Sequence, residues 1–149
     1  MKNYRVAILG CRARGTASAN AYHFHPRTEV VGLCDIVASR RDSLGDQLGI
    51  SARFDDADRM IEDVDPDIVV IPTAPYLHAP LALQVLEHGV NIDIEKPMGL
   101  NLAETDAIMA KAVERNLRVA VHHQWRVSAW TQAIWSAFSA GKIGELRHI

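Results

Sequence analysis

Two glycines, Gly10 and Gly15, follow a short apolar run at residues 6–9. Such a run is typical of a parallel strand that is covered on both faces. Gly10 can adopt backbone angles closed to other residues, and Gly15 has no side chain to hold a following helix away from the sheet. Because a helix N-terminus presents unpaired N–H groups and a positive dipole end, the pattern predicts an anion site that fits a dinucleotide pyrophosphate.

Residues 10–15 depart at one position from the dinucleotide fingerprint G-x-G-x-x-G, since they read Gly-Cys-Arg-Ala-Arg-Gly. Arg12 stands where the middle glycine normally lets the backbone approach the pyrophosphate. We expect the Arg12 side chain to turn outward, where it can pair with the phosphates, and Cys11 to lie beside it in the same turn. The alternative is the βα turn of any α/β protein.

Asp35 follows Gly15 by about twenty positions, the spacing at which the fingerprint expects an acidic residue. It stands at the carboxyl end of a predicted strand at 29–34, where its carboxylate can hydrogen-bond ribose hydroxyls. A carboxylate there would repel a 2′-phosphate, so the residue favours NAD over NADP. Arg40 and Arg41 lie close enough to leave NADP open, and an N-cap for the next helix is the alternative role of Asp35.

The elements that must position these residues alternate along the whole chain. We predict strands at 6–9, 29–34, 52–54, 68–71, 90–94 and 117–121, and helices at 16–25, 38–48, 57–63, 80–88, 102–115 and 128–140. Strands that alternate with helices imply right-handed crossovers and an α/β fold with a doubly wound parallel sheet, in the order 3-2-1-4-5-6. The strand ends should then bring Gly10, Asp35, Thr73 and Lys96 around one crevice.

A family resemblance rests on the tripeptide Glu95-Lys96-Pro97 at the end of strand five. Further matches follow in order: the glycine turn, Asp35, the loop at 73–78, the segment with Gln124 and Arg126, and the closing Gly-Lys-Ile-Gly-Glu at 141–145. Over essentially its whole length the chain resembles the NAD(P)-dependent oxidoreductases typified by glucose–fructose oxidoreductase and inositol dehydrogenase. The resemblance implies a Rossmann domain that carries NAD(H) or NADP(H), followed by a second α/β domain.

The resemblance also implies roles for single residues. Lys96 would be catalytic, beside the nicotinamide and the substrate; the alternative for Lys96 is a solvated surface lysine. Glu95 would lie against the cofactor or its ribose. In this family the peptide bond before Pro97 is often cis. Thr73 and His78 match the family's T-P-N-x-x-H loop, although its second and third positions differ here. The candidate cofactor-binding residues are Gly10, Cys11, Arg12, Gly15, Asp35, Thr73, His78, Glu95, Lys96, Gln124 and Arg126.

Composition narrows the class of protein. The chain has 149 residues with 16 basic and 18 acidic side chains, and no long basic run indicates a nucleic-acid partner. No apolar run reaches the ~20 residues that span a bilayer, and the first strand begins too early to leave room for a signal peptide, so we expect no membrane partner. Cys11 and Cys34 have no metal-ligand spacing and indicate free thiols in the cytoplasm. His122 and His123 would point to opposite faces of a strand, so no metal site is expected.

Three functions remain open from the sequence. The first is hydride transfer between NAD, or NADP, and a hydroxyl-bearing carbon of a sugar, cyclitol or related polyol; the others are an NAD-dependent glycosidase and a catalytically silent NAD- or sugar-binding regulator. We expect residues 1–123 to form the dinucleotide-binding domain, and 124–149 to form a connecting helix and the first strand, at 146–149, of a second domain that is cut short. We therefore expect an NAD(P)-dependent oxidoreductase whose 149 residues do not turn over substrate alone. Trp130, Ile134 and Phe138 should expose an apolar patch, and the protein should form a homo-oligomer through that second domain.

Overall fold

The computed structural model of the chain describes residues 3–145 and residue 147. The strands are β1 (Tyr4–Leu9), β2 (Thr28–Cys34), β3 (Arg53–Phe54), β4 (Ile68–Ile71), β5 (Asn91–Ile94) and β6 (Val119–Val121). The helices are α1 (Ala13–His23), α2 (Ala38–Leu48), α3 (Ala57–Val64), α4 (Pro75–Glu87), α5 (Leu102–Glu114) and α6 (Ala129–Ser139), with a 3-10 turn at Gln124–Val127. The strand predicted at 146–149 lies outside the described residues, apart from Arg147.

The six strands form one parallel sheet in the order β3-β2-β1-β4-β5-β6. This confirms the predicted doubly wound α/β fold and its strand order. The order reverses between β1 and β4, and in open sheets of this kind ligands bind outside the carboxyl ends of the strands at such a point.

Alternate residues of β1 pack into two separate hydrophobic cores, one on each face of the sheet. Val6 and Ile8 pack into the cluster that includes Leu44 of α2, whereas Ala7 and Leu9 pack into the cluster that includes residues of α3, α4 and α5. Both faces of β1 are therefore covered, which is why the strand reads as a continuous apolar run rather than an alternation.

The predicted start of the fourth helix at residue 80 is wrong, because α4 begins at Pro75. Both Pro75 and Pro80 can stand at the first position of a helix, where the missing N–H is not needed. The chain uses Pro75 for that position and keeps Pro80 inside the helix. As a result His78, which was expected in a loop, lies in the first turns of α4.

Helix α6 lies outside the two cores. It begins after Ser128, whose hydroxyl accepts a hydrogen bond from the Thr131 N–H, and none of its residues is buried. Trp130 and Ile134 are each 54% exposed, as expected, whereas Phe138 is half-buried and contacts Trp135 with ring centroids 5.8 Å apart. Among the described helices, none is long and apolar enough to cross a membrane.

Candidate dinucleotide site

A cavity of about 690 Å³ lies at the carboxyl ends of the central strands. Its lining includes Gly10, Asp35 and Thr73, so three of the four residues predicted to share one crevice do so. Lys96 is not among the lining residues. It follows β5 at the same edge of the sheet, because all strands are parallel and β5 pairs with β4.

The two glycines of the turn are required for different reasons. Gly10 has a φ of 118°, a backbone conformation that residues with a side chain rarely adopt. At Gly15 the constraint is contact, because a Cβ atom there would lie 1.8 Å from the carbonyl oxygen of Gly10. Gly15 therefore lets α1 begin directly against the turn that follows β1.

Arg12 fits the turn without strain, which explains the departure from the fingerprint. It is the N-cap residue of α1 with φ -77° and ψ -176°, an extended conformation open to any residue. Its side chain is exposed and lines the cavity. Helix α1 itself has no side-chain cap and no acidic residue in its first turn, so its positive end is left to an external anion.

Asp35 is held rigidly at the end of β2. Its Oδ2 accepts a hydrogen bond from the Cys11 N–H and its Oδ1 accepts one from the Val37 N–H, both at 2.8 Å. Val37, not Asp35, is the N-cap residue of α2, so the capping alternative is wrong. Each carboxylate oxygen has a second lone pair, which leaves the buried Asp35 able to accept ribose hydroxyls from the cavity.

Arg40 and Arg41 differ in what they can offer a 2′-phosphate. The Arg41 guanidinium donates to the main-chain carbonyl of Asp35 at 3.0 Å and is largely covered. The Arg40 guanidinium lies 3.7 Å from the Asp35 carboxylate, lines the cavity and is more exposed. Arg40 is therefore the cation that competes with the preference that Asp35 imposes.

His78 joins two of the loops at the site. The imidazole is fully buried, with Nδ1 2.6 Å from the Pro97 carbonyl oxygen and Nε2 3.1 Å from the Thr73 carbonyl oxygen. The peptide bond between Lys96 and Pro97 is cis, as the resemblance implied. Since both ring nitrogens face main-chain oxygens, the ring is placed to position the loops, and its predicted contact with a cofactor stays a prediction.

Thr73 carries a buried hydroxyl that has no hydrogen-bond partner among the described residues. Its methyl group lies where a side chain on Gly10 would collide, at 3.0 Å from the position of a Cβ. The loop after β4 and the turn after β1 therefore lie in contact, and both line the cavity.

Glu95 and Lys96 have opposite surroundings. The buried Glu95 carboxylate accepts a hydrogen bond from the Lys96 N–H through Oε2, at 3.2 Å. Its Oε1 lies 3.2 Å from His122 Nδ1 and 3.7 Å from Arg14 Nε. The Lys96 side chain is exposed, and within the described residues its ammonium contacts no acidic group. The sequence did not predict the contacts of Glu95 with Arg14, which lies in the first turn of α1, or with His122, which follows β6. The only signal was that both residues come after the carboxyl ends of strands.

Gln124 and Arg126 lie in the 3-10 turn after β6 and do not line the cavity. Arg126 is exposed, and its main-chain N–H donates to the His123 carbonyl at 2.9 Å. Trp125 in the same turn packs edge-on against Trp130 of α6, with ring centroids 5.4 Å apart. Any contact between Gln124 or Arg126 and a cofactor stays a prediction.

The two thiols beside the cavity should be unreactive. Burial, followed by the nearby Asp35 carboxylate, raises the pKa of Cys11 to about 12, and burial also raises the pKa of Cys34 to about 12. Since thiolate is the nucleophile, the raised pKa leaves very little of either cysteine in the reactive form at pH 8. We expect neither thiol to react with iodoacetamide at pH 8 in the native chain, while both react in urea. Modification of the native chain as fast as free glutathione, measured by mass spectrometry, would contradict this.

The site fits a dinucleotide on its own geometry. The Gly10 turn, the uncapped N-terminus of α1 and the fixed carboxylate of Asp35 line one cavity, and Gly15 lets α1 begin directly against that turn. Apolar side chains of Ile36 and Tyr76 line the same cavity and offer surfaces for a base. Fold and site together define a dinucleotide-binding α/β domain.

Comparison with known sequences places the domain in a family. The family model described as "Oxidoreductase family, NAD-binding Rossmann fold" matches residues 4–123, and the chain belongs to this family. It is 28% identical to D-apiose dehydrogenase of Paraburkholderia graminis over 144 residues, which are 97% of this chain and 38% of that protein. It is 31% identical to glycosyl hydrolase family 109 protein 5 of Phocaeicola vulgatus over 112 residues, 70% of this chain and 22% of that protein.

A solved structure gives the same fold. An oxidoreductase from Agrobacterium radiobacter, determined in complex with NAD+, L-tartaric acid and magnesium, superposes with a TM-score of 0.90 at 26% identity. The match covers 97% of this chain and 42% of the other. The chain thus spans less than half the length of these relatives.

Proposed function

We propose that this chain is the NAD-binding part of an oxidoreductase that transfers a hydride between a nicotinamide cofactor and a hydroxyl-bearing carbon of a sugar, cyclitol or related polyol. The observation that carries the proposal is that the Gly10 turn and Asp35 line one cavity, while the Lys96 turn follows β5 at the same edge of the sheet. The family membership of residues 4–123 supports it. The similarity to D-apiose dehydrogenase supports the proposal as well.

Three parts of the site have separate proposed tasks. The N-terminus of α1 and the Gly10 turn bind the pyrophosphate, and Asp35 accepts hydrogen bonds from the adenosine ribose. A bound nicotinamide supplies the hydride chemistry. Lys96 holds or moves a proton at the reacting oxygen, since its ammonium is exposed at the strand end and is not neutralised by an acid among the described residues.

The NAD-dependent glycosidase is the second candidate, and the similarity to glycosyl hydrolase family 109 proteins supports it. That similarity covers 70% of the chain, against 97% for the sugar dehydrogenase, so the dehydrogenase is the better proposal. A cytoplasmic location, a homo-oligomer and the division of the chain near residue 123 belong to the same proposal.

Cofactor choice is the most direct test in this chain. We expect calorimetric titration to show tighter binding of NAD than of NADP, because the Asp35 carboxylate accepts ribose hydroxyls and repels a 2′-phosphate. Asp35→Ala should weaken NAD about 10- to 100-fold, the range for hydrogen bonds to a charged group, and narrow the gap between the cofactors. Asp63→Ala removes an exposed carboxylate outside the cavity and should change neither affinity.

The outcomes separate the proposals. If the unmodified chain binds NADP more tightly, Arg40 outweighs Asp35; if it binds neither cofactor, the proposed function fails. For turnover, a panel of sugars and cyclitols is assayed by NADH formation. Net hydrolysis of a glycoside with catalytic NAD and no NADH accumulation would favour the glycosidase.

A further inference from the structure

Arg14 is a cation at the cavity that no fingerprint position explains. It lies in the first turn of α1, lines the cavity with Gly10 and Asp35, and its side chain is 58% exposed. Its Nε lies 3.7 Å from Glu95 Oε1, a separation too long for a direct hydrogen bond. Within the described residues it has no other acidic neighbour. The guanidinium of Arg14 therefore lies close to the Glu95 carboxylate without donating a direct hydrogen bond to it.

The carboxylate that faces Arg14 is fixed in position. The Glu95 side chain is 7% exposed, and its two oxygens are engaged by the Lys96 N–H and by His122 Nδ1. A buried charge attracts a neighbouring cation more strongly than an exposed one, because less water screens it. Glu95 thus attracts the guanidinium of Arg14, which lines the cavity while more than half of its side chain stays exposed.

The groups around Arg14 at the N-terminus of α1 favour the binding of an anion. The positive end of α1 has no acidic residue in its first turn, and Arg12 adds a second exposed cation at the same rim. Arginine presents a planar fork of N–H donors that matches phosphate oxygens. The pyrophosphate of a dinucleotide is the anion whose size and place fit this rim.

Resting on the proposed function, we infer that Arg14 is a further cofactor-binding residue that pairs with the pyrophosphate and that Glu95 is the positioning residue that orients it. The fingerprint uses only main-chain N–H groups for this task, so Arg14 is an addition to it. The same Glu95 carboxylate also holds the main chain of Lys96, which links the phosphate end of the site to the proposed reaction centre.

The test measures affinity rather than activity. Calorimetric titration compares NAD and ADP-ribose, which shares both phosphates but lacks nicotinamide, in the unmodified chain, in Arg14→Ala and in Arg59→Ala. Arg59 is an exposed arginine in the first turn of α3 and lies outside the cavity lining. We expect Arg14→Ala to weaken both ligands about tenfold or more, as for a charge-assisted hydrogen bond, and Arg59→Ala to leave both unchanged.

Each alternative outcome overturns a stated claim. Normal binding of both ligands by a folded Arg14→Ala variant, with its fold checked by circular dichroism, overturns the inference and leaves the proposed function standing. A loss confined to NAD overturns the assignment to phosphate. Absence of NAD binding by the unmodified chain overturns the proposed function itself.

A double-mutant cycle with Glu95→Gln tests the positioning role. Loss of the carboxylate removes both the orientation of Arg14 and a repulsion toward the phosphates, and only the first effect needs Arg14. For each background we take the ratio of the NAD dissociation constant with Glu95→Gln to the constant without it. We expect this ratio to be about threefold or more higher when Arg14 is present than in the Arg14→Ala variant. Equal effects in both backgrounds would overturn the positioning role of Glu95.

Discussion

Gly15→Ala is expected to destabilise the domain by about 3 kcal/mol or more and to abolish measurable NAD binding. The added Cβ would lie 1.8 Å from the Gly10 carbonyl oxygen, which is main chain and cannot rotate away. Helix α1 would have to move off the sheet, and its N-terminal N–H groups would leave the phosphate position. Urea unfolding and calorimetric titration with NAD measure the two effects.

The matched control is Gly49→Ala at the end of α2. Gly49 has a φ of 70°, and nothing lies within 4 Å of a Cβ built there. That variant should lose only about 1 kcal/mol, from backbone conformation, and should bind NAD normally. Near-normal stability and binding in Gly15→Ala would show that the turn can widen, and would remove the steric account of this glycine.

Lys96→Ala, in any form of the protein that has dehydrogenase activity, is expected to lower kcat by about 10²- to 10⁴-fold. The NAD dissociation constant should change less than about threefold. NAD affinity should change little because Lys96 lies outside the cavity lined by Gly10 and Asp35. Turnover should fall because the exposed ammonium at the end of β5 is proposed to hold or move a proton at the reacting oxygen. Steady-state kinetics and calorimetry on the same preparation separate the two quantities.

Lys111→Ala is the control for loss of a lysine. Its ammonium is paired on the surface with Glu87 of α4 and Glu114 of α5, away from the strand ends. Pairs of this kind contribute little to stability, so neither kcat nor NAD affinity should change. Equal losses of turnover and NAD affinity in Lys96→Ala would make Lys96 a binding residue instead of a catalytic one.

Most of the fold could be predicted because its signals are local. Apolar runs at residues 6–9 and 68–71, and glycines or prolines at the ends of elements, determine where strands and helices lie. The right-handed crossover rule then leaves few sheet orders. The predicted start of α4 is wrong because Pro75 and Pro80 satisfy the same local rule for the first position of a helix. Local sequence alone does not choose between them.

The sequence by itself determined the fold class, the strand order, the glycine turn and the place of Asp35, because each depends on backbone requirements or on spacing within one βαβ unit. Only the tertiary structure decided the side-chain partnerships across the sheet. Tyr22 donates a hydrogen bond to the buried Asp93 carboxylate, 71 residues away, at 2.7 Å. Arg14 Nε lies 3.7 Å from Glu95 Oε1, an ion pair without a direct hydrogen bond. No periodicity relates such residues; a buried charge takes whichever partner the packed helix brings to it.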